Sequence, residues 1–418
     1  GTPLKLANNT NADSVIVESE KTLELSGTVT VNDYLEINGS CGLPCNLLGP
    51  GTLSSATGNI AVNYANIENV TATGGASFVA NDSYDLGGNS GWTINSSSSI
   101  DYYWVGDGGS WNDGTHWALT SGGVGSGCVP SINDDVYFDA NSFSSSGQTV
   151  IISSVVASCK SIDWTGVTNS PTFDISNELS VYGSFTLTDN MTLSGVSPIN
   201  FKSTSAGNTI AFSGHSSSRS INFDGIGGVW DMQDSIILTD WLNGFYLDEG
   251  TINTNGYTIQ SGDFILSNSS AINLSSSNII VRRLFSFYGN VNAGTSTIYL
   301  RLHAQGNSQY NGVLLNNLIN ETTINTNYTI QGGSYNKIIQ RGTPLKLANN
   351  TNADSVIVEP GKILELSGTV TVNDYIELSG TPSLPVYLIG PGILSSSSGN
   401  FCFEYLRVNN INATGGAT

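Results

Sequence analysis

Between residues 250 and 300 an apolar residue returns every six or seven positions: Ile252, Ile259, Ile265, Ile272, Ile279, Phe285, Val291 and Ile298. Each sits in a short run with strand character, such as Tyr257-Thr258-Ile259, Phe264-Ile265-Leu266 or Ile279-Ile280-Val281, and Gly, Asn and Ser separate the runs. Short β-rich runs alternating with turn formers predict strands. The interval is too short for sandwich hairpins, whose turns fall about 8–12 residues apart. It fits an all-β fold, a right-handed parallel β-helix (β-solenoid) with three strands and roughly 20 residues per coil, successive coils lying about 4.8 Å apart. Each coil buries one or two apolar side chains per face, and corner Asn and Ser stack as polar ladders. Roughly 300 solenoid residues then make about 15 coils, a length on the order of 70 Å. A solenoid end leaves strand edges unpaired, so it needs a cap or a neighbour.

Composition supports this and excludes other classes. Only 11% of the 418 residues are charged, and 33 Asp+Glu against 13 Lys+Arg leave a formal net charge of −20. A nucleic-acid binder would show a basic stripe, so no nucleic-acid partner is expected. No stretch approaches the ~18 apolar residues of a membrane span. Evenly spaced Ile, Val, Leu, Phe and Tyr argue against disorder. Helix formers are scarce beside β-branched residues and turn formers. Low pI, few Lys and many Asn and Ser fit a secreted, glycan-decorated surface protein. The opening Gly1-Thr2-Pro3 has neither a basic nor an apolar leader region and no initiator Met, which reads as a piece of something longer.

The chain also repeats itself. Residues 342–359 reproduce residues 1–18 letter for letter, GTPLKLANNTNADSVIVE. The match runs on without a gap at a constant offset of 341, with 51 of 77 positions identical. Catalytic domains are rarely copied in tandem at such identity, whereas spacers, stalks and adhesin arrays routinely are. The reading is a stretch of structural length: 1–100 ends one solenoid repeat, 101–160 is a junction module, 161–341 is the next solenoid, and 342–418 continues it as the duplicate of 1–77.

None of the five cysteines forms a CxxC, and His116, His215 and His303 are far apart, so no zinc site is expected. Cys41 and Cys45 are both replaced in the copy, by Pro382 and Val386. They read as a short-loop disulfide in an oxidising compartment, or as two independent surface thiols. Cys402, in Phe401-Cys402-Phe403, reads as a core filler. Cys128 and Cys159 read as a second disulfide, closing a ~30-residue loop worth roughly 3 kcal/mol.

The rhythm breaks between about 101 and 148, where Trp104, Trp111 and Trp117 fall within 14 residues. These rings could stack sugars beside Asn and Asp, or plug a solenoid end over its open strand edges. Trp164 and Trp230 read as packing residues and Trp241 as a loop residue. Asp134, Asp135 and Asp139 form the best carboxylate cluster for a glycoside hydrolase, set against a solvated face or a turn. Asp107, Asp113 and Asp134 offer hard oxygen ligands for Ca²⁺, but without EF-hand spacing, and no cofactor is expected. Arg282-Arg283 is the basic pair a lyase would want, and His215 a weak hydrolase motif; nothing else in the sequence supports either.

The runs YYWVGDGGSWNDGTHWALTSGG, CVPSINDDVYFDANSFSSSGQTV and CKSIDWTGVTN resemble a module of giant Bacteroidetes cell-surface adhesins exported by the type 9 secretion system. VNYANIENVTATGGASFVANDSYDLGGNSGWTI resembles the closing rung of the same repeats. The resemblance covers most of residues 50–175. It includes gliding-motility adhesins and the grappling-hook filaments of predatory filamentous bacteria. It implies surface display, an elongated form and attachment to substratum, cell-surface glycans or other cells, and it carries no catalytic residues. It also implies O-glycosylation at Asp-Ser-aliphatic motifs, here Ser14, Ser235 and Ser355. The expected function is therefore a non-enzymatic structural repeat of an extracellular filament, with neighbouring repeats as its first partners. The alternative is a carbohydrate-binding or polysaccharide-degrading β-helix. Side-by-side packing into a homo-oligomeric filament is opposed by the −20 charge, and salt or Ca²⁺ would weaken that repulsion.

Overall fold

The structure, a computed structural model, describes residues 3–41, 43–57, 59–154, 156–302, 307–309, 314–324, 328–397 and 400–416. His303 lies outside them. The fold is the expected parallel β-solenoid: among the described residues the one helical segment is a single 3-10 turn, Gly114–His116. The chain divides into two compact units, residues 1–144 with 158–160, and residues 145–157 with 161–418. The junction expected over 101–160 is thus split, 145–157 packing with the second unit.

In the first unit the registers define three faces per coil. One face stacks Leu4, Leu23, Leu47 and Ile67. The second stacks Thr10, Val29, Leu53 and Ala72. The third stacks Val17, Ile37, Val62 and Ala80. A register shift between Ala12 and Ser14 marks a corner. Alternation then decides burial. Leu23, Leu25, Val29, Val31, Leu35 and Ile37 are at most 1% exposed, while Glu24, Thr30 and Glu36 between them are not buried. Each such fully buried aliphatic side chain stabilises the stack by about 1.5–3 kcal/mol. The polar residues between faces form the expected ladders: Asn63 donates to Asn38 at 2.8 Å, Asn66 to Asn46 at 2.9 Å and Asn95 to Asn81 at 2.9 Å. Where the chain passes closest to itself only glycine fits. A Cβ on Gly74, at φ +112°, would lie 2.0 Å from the Ser55 carbonyl oxygen, and Gly415 meets Ser396 in the same way.

The second unit stacks one continuous column of buried side chains. Ile236, Ile259, Ile279, Ile298, Leu318, Ile338, Val356 and Ile376 are successive register partners, roughly 20 residues apart, and each is at most 1% exposed. The rhythm of residues 250–300 is this column and its neighbours, with two departures: Val291, in register with Ile272 but only partly buried, and Ile265. In Phe264-Ile265-Leu266 the outer two residues point inward and Ile265 is only partly buried. Three apolar residues in a row do not reveal their parity; the strand register does.

The duplicate keeps the register of the original. Thr10 pairs with Val29 and Thr351 with Val370; Ser14 pairs with Tyr34 and Ser355 with Tyr375. The corner shift recurs between Ala353 and Ser355, and Asn8 and Asn349 share a left-handed φ of 62° and 57°. Cys402 is half-buried beside the Ser379 hydroxyl, and Phe403 is 49% exposed, so this strand does not fill the core as expected. In the first copy Val79–Asn81 lies over the equivalent strand; among the described residues nothing lies over Asn400–Glu404.

Candidate functional site

Three places in the sequence carry functional expectations: the tryptophan-rich segment, the carboxylates and the cysteines. Trp104, Trp111 and Trp117 do come together, as the core of a small module. All three are fully buried. Trp117 meets Trp104 edge-on at 4.9 Å and Trp111 at 4.8 Å, and Phe138 packs within 5.8 Å of Trp104 and Trp117. The His116 ring stacks on Trp104 at 4.7 Å and its Nδ1 bonds the Val105 carbonyl at 2.8 Å. The indole N–H of Trp104 donates to Asp107 O at 2.6 Å and that of Trp117 to Trp111 O at 2.7 Å. With no ring face open, the sugar-stacking expectation is overturned: the aromatic density serves packing within the module. Trp164 and Trp230 are likewise buried, and Trp241 is 42% exposed in a turn.

The carboxylates other than Asp135, a strand residue, are ligands of turns and loops. Asp134 is 5% exposed and accepts from the Ile100 N–H at 2.9 Å and from Ser131 N–H and Oγ at 2.8 and 2.5 Å. Burial raises its pKa against the pull of those donors. Asp135 pairs with Lys160 at 2.9 Å. Asp139 accepts from the Asn141 N–H at 2.8 Å. Asp107 accepts from Ser144 N–H and Oγ, which hold its pKa down, and Asp113 caps the 3-10 turn through Thr115 with the same effect. Each of these carboxylates is thus engaged by a nearby donor or cation. No group of three His, Cys, Asp or Glu that could hold a metal occurs among the described residues, so Asp107, Asp113 and Asp134 do not converge as a Ca²⁺ site. The engaging Ser131, Thr115 and Ser144 were not anticipated. For the first two, the signal was an Asp two or three residues from a Ser or Thr, the Asx-type turn spacing.

Arg283 pairs with Asp263, and Arg282 bonds the Leu238 and Thr239 carbonyls. His215 Nε2 bonds the Thr188 carbonyl at 2.7 Å. These side chains tie one coil to another.

The cysteine expectations need correction. The disulfide joins Cys41 to Cys128, 87 residues apart, while Cys45 and Cys159 are buried free thiols. Cys45 starts a strand and faces the core, its Sγ 3.1 Å from Glu18 O, and burial pushes its pKa up to about 11. Cys159 is raised by burial and by the nearby Asp135 and Asp134. Cys41 stands on the turn that leaves Thr28–Asn38, facing outward, and so reaches the loop of Cys128.

Of the O-glycosylation candidates, Ser14 is exposed, while Ser235 and Ser355 are partly buried. Ser235 also accepts from the Thr258 N–H at 3.1 Å. Among the described residues no helix is long and apolar enough to cross a membrane. Comparison with protein-family models, curated proteins and solved structures finds no match.

Proposed function

We propose that this chain is a structural repeat of an extracellular filamentous adhesin, a solenoid that projects from a cell surface and carries attachment to surfaces or other cells, in gliding or in prey capture. One observation carries the reading: the 77-residue copy re-enters the stack 341 residues on, in unchanged register. A fold whose coils contact only their neighbours can be lengthened in this way without redesign. The likeness of the tryptophan-rich segment to surface-adhesin modules supplies the location and the export route. Neighbouring repeats are the first partners; salt-dependent side-by-side association and contact with glycans or substratum follow from the same reading. Ser14, its copy Ser355 and Ser235 are the proposed O-glycosylation positions. The carbohydrate-binding or polysaccharide-degrading alternative loses the tryptophan and carboxylate clusters, whose rings are buried and whose carboxylates are engaged, and rests on the β-solenoid fold alone.

The test is electron microscopy of proteins with one, two and three repeats, beside the native parent on cells. The expected result is a contour length that grows by a constant increment, on the order of 70 Å per period from the inter-coil spacing. A particle whose length does not grow with repeat number sinks the proposal.

A further inference from the structure

Residues 1–18 and 342–359 are the same eighteen letters, yet among the described residues only the second has an outer neighbour. In the second copy, Leu345–Val358 receives Tyr328–Gln340 as a parallel strand through eleven register pairs, from Tyr328↔Leu345 to Gln340↔Val358. Side chains reinforce it. Asn349 donates to Gln331 Oε1 at 2.6 Å, and Arg341 Nε lies 3.5 Å from Glu359 Oε1. The Glu359 N–H donates to Gln340 O at 3.0 Å.

In the first copy, Leu4–Ala7 and Thr10–Glu18 are paired only on their inner side, with Thr22–Ser26 and Thr28–Asn38, among the described residues. The backbone is nevertheless the same, with the same corner and the same left-handed Asn. Leu4 and Ile16 are 61% and 62% exposed. The edge is long, apolar in part and preformed, the kind that natural sheets cover or block.

We propose that the outer edge of Leu4–Glu18 is an acceptor site for a parallel strand of the sequence Tyr328–Arg341, supplied by the last coil of an upstream repeat. Three observations select that occupant. The identical edge already holds this sequence at residues 345–358. Asn8 and Glu18 stand ready for the partners that Asn349 and Glu359 find in Gln331 and Arg341. The segment also carries Lys337 and Arg341 with no acidic residue, in a chain of net charge −20. Main-chain bonds supply affinity and side-chain pockets supply register, as in strand addition generally. Repeats then join with no linker between them. The inference rests on the tandem-repeat reading, but strand uptake and filament length are measured separately and fail separately.

The experiment is hydrogen exchange by mass spectrometry on the 418-residue protein, with and without a synthetic peptide of residues 328–341. Fragments that run past Glu18 into Ser19-Glu20-Lys21-Thr22 are distinguishable from those that run past Glu359 into Pro360-Gly361-Lys362-Ile363. At saturating peptide, exchange over Thr10–Glu18 slows roughly tenfold or more, while Thr351–Val358 is unchanged. A scrambled peptide and one carrying Ile338→Pro, which removes a mid-strand N–H, have no effect. Three outcomes overturn the proposal: no slowing at any peptide concentration, equal slowing by the scrambled peptide, or dimerisation of the protein alone that protects the same edge.

Discussion

The two copies of the repeat opening are one sequence in two settings. At the outer edge Leu4 is 61% exposed and Leu345 is fully buried. At the far side the order reverses: Val62 and Ile67 are at most 1% exposed, while Phe403 and Val408, at the same positions in the copy, are 49% and 55% exposed. Backbone, corners and inner register do not change. Conformation here is fixed by local turn chemistry and by one neighbouring coil. Burial is fixed by whether a second coil is present. Solenoid stability therefore accrues at interfaces between coils rather than within them.

The largest expected difference between the copies is the disulfide, which only the first possesses, since Pro382 stands in the place of Cys41. Cys41→Ser opens a loop of sequence separation 87 and should cost roughly 4–5 kcal/mol in the chain-entropy account. Cys128→Ser should cost the same, and the double variant no more. Urea unfolding followed through the buried tryptophans reads this directly, and additive single effects would show that the two thiols are not partners. Next in size, Leu345→Ala should cost about 3 kcal/mol by leaving a cavity, and Leu4→Ala less than about 0.5 kcal/mol. Equal shifts in thermal midpoint would break the comparison. Smallest is Cys45→Val, which installs the residue found at Val386; it should change stability by less than about 1 kcal/mol. Its counterpart in wild type is a native thiol that alkylates only as the pH nears its raised pKa of about 11. Rapid labelling of Cys45 at pH 8 would contradict its placement in the core.

The solenoid was legible because its coils are punctuated: apolar residues at six- or seven-residue intervals with Gly, Asn and Ser between them admit few other folds. The gapless offset of 341 likewise anticipated the shared register. Ile265 shows the limit, since parity within a wholly apolar triplet is decided by pairing and not by composition. The cysteines show another. In a solenoid, nearness is set by coil stacking and by loops that leave it, so Cys41 and Cys45 are close in sequence but face opposite ways. Their joint loss in the second copy reflected two unrelated environments. Trp104, Trp111 and Trp117 were visible as a cluster. Aromatic rings flanked by Gly and Asp suit both a binding platform and a small core, and only the packing of Phe138 and His116 around them separates the two.

Shared register between near-identical segments also bears on how such a chain reaches its native state. Thr10–Glu18 finds its partner Thr28–Asn38 about 19 residues away, but Thr369–Ser379 offers nearly the same pairing surface about 360 residues away. The enthalpy of the two pairings is almost equal. Loop closure alone favours the near one by about 2–3 kcal/mol, from the logarithmic dependence on loop length. In a longer array each added repeat adds another competing partner. Correct assembly then depends on kinetics: each coil must find its neighbour before the next repeat emerges, which favours vectorial folding and makes refolding of the whole array from denaturant prone to exchanged strands.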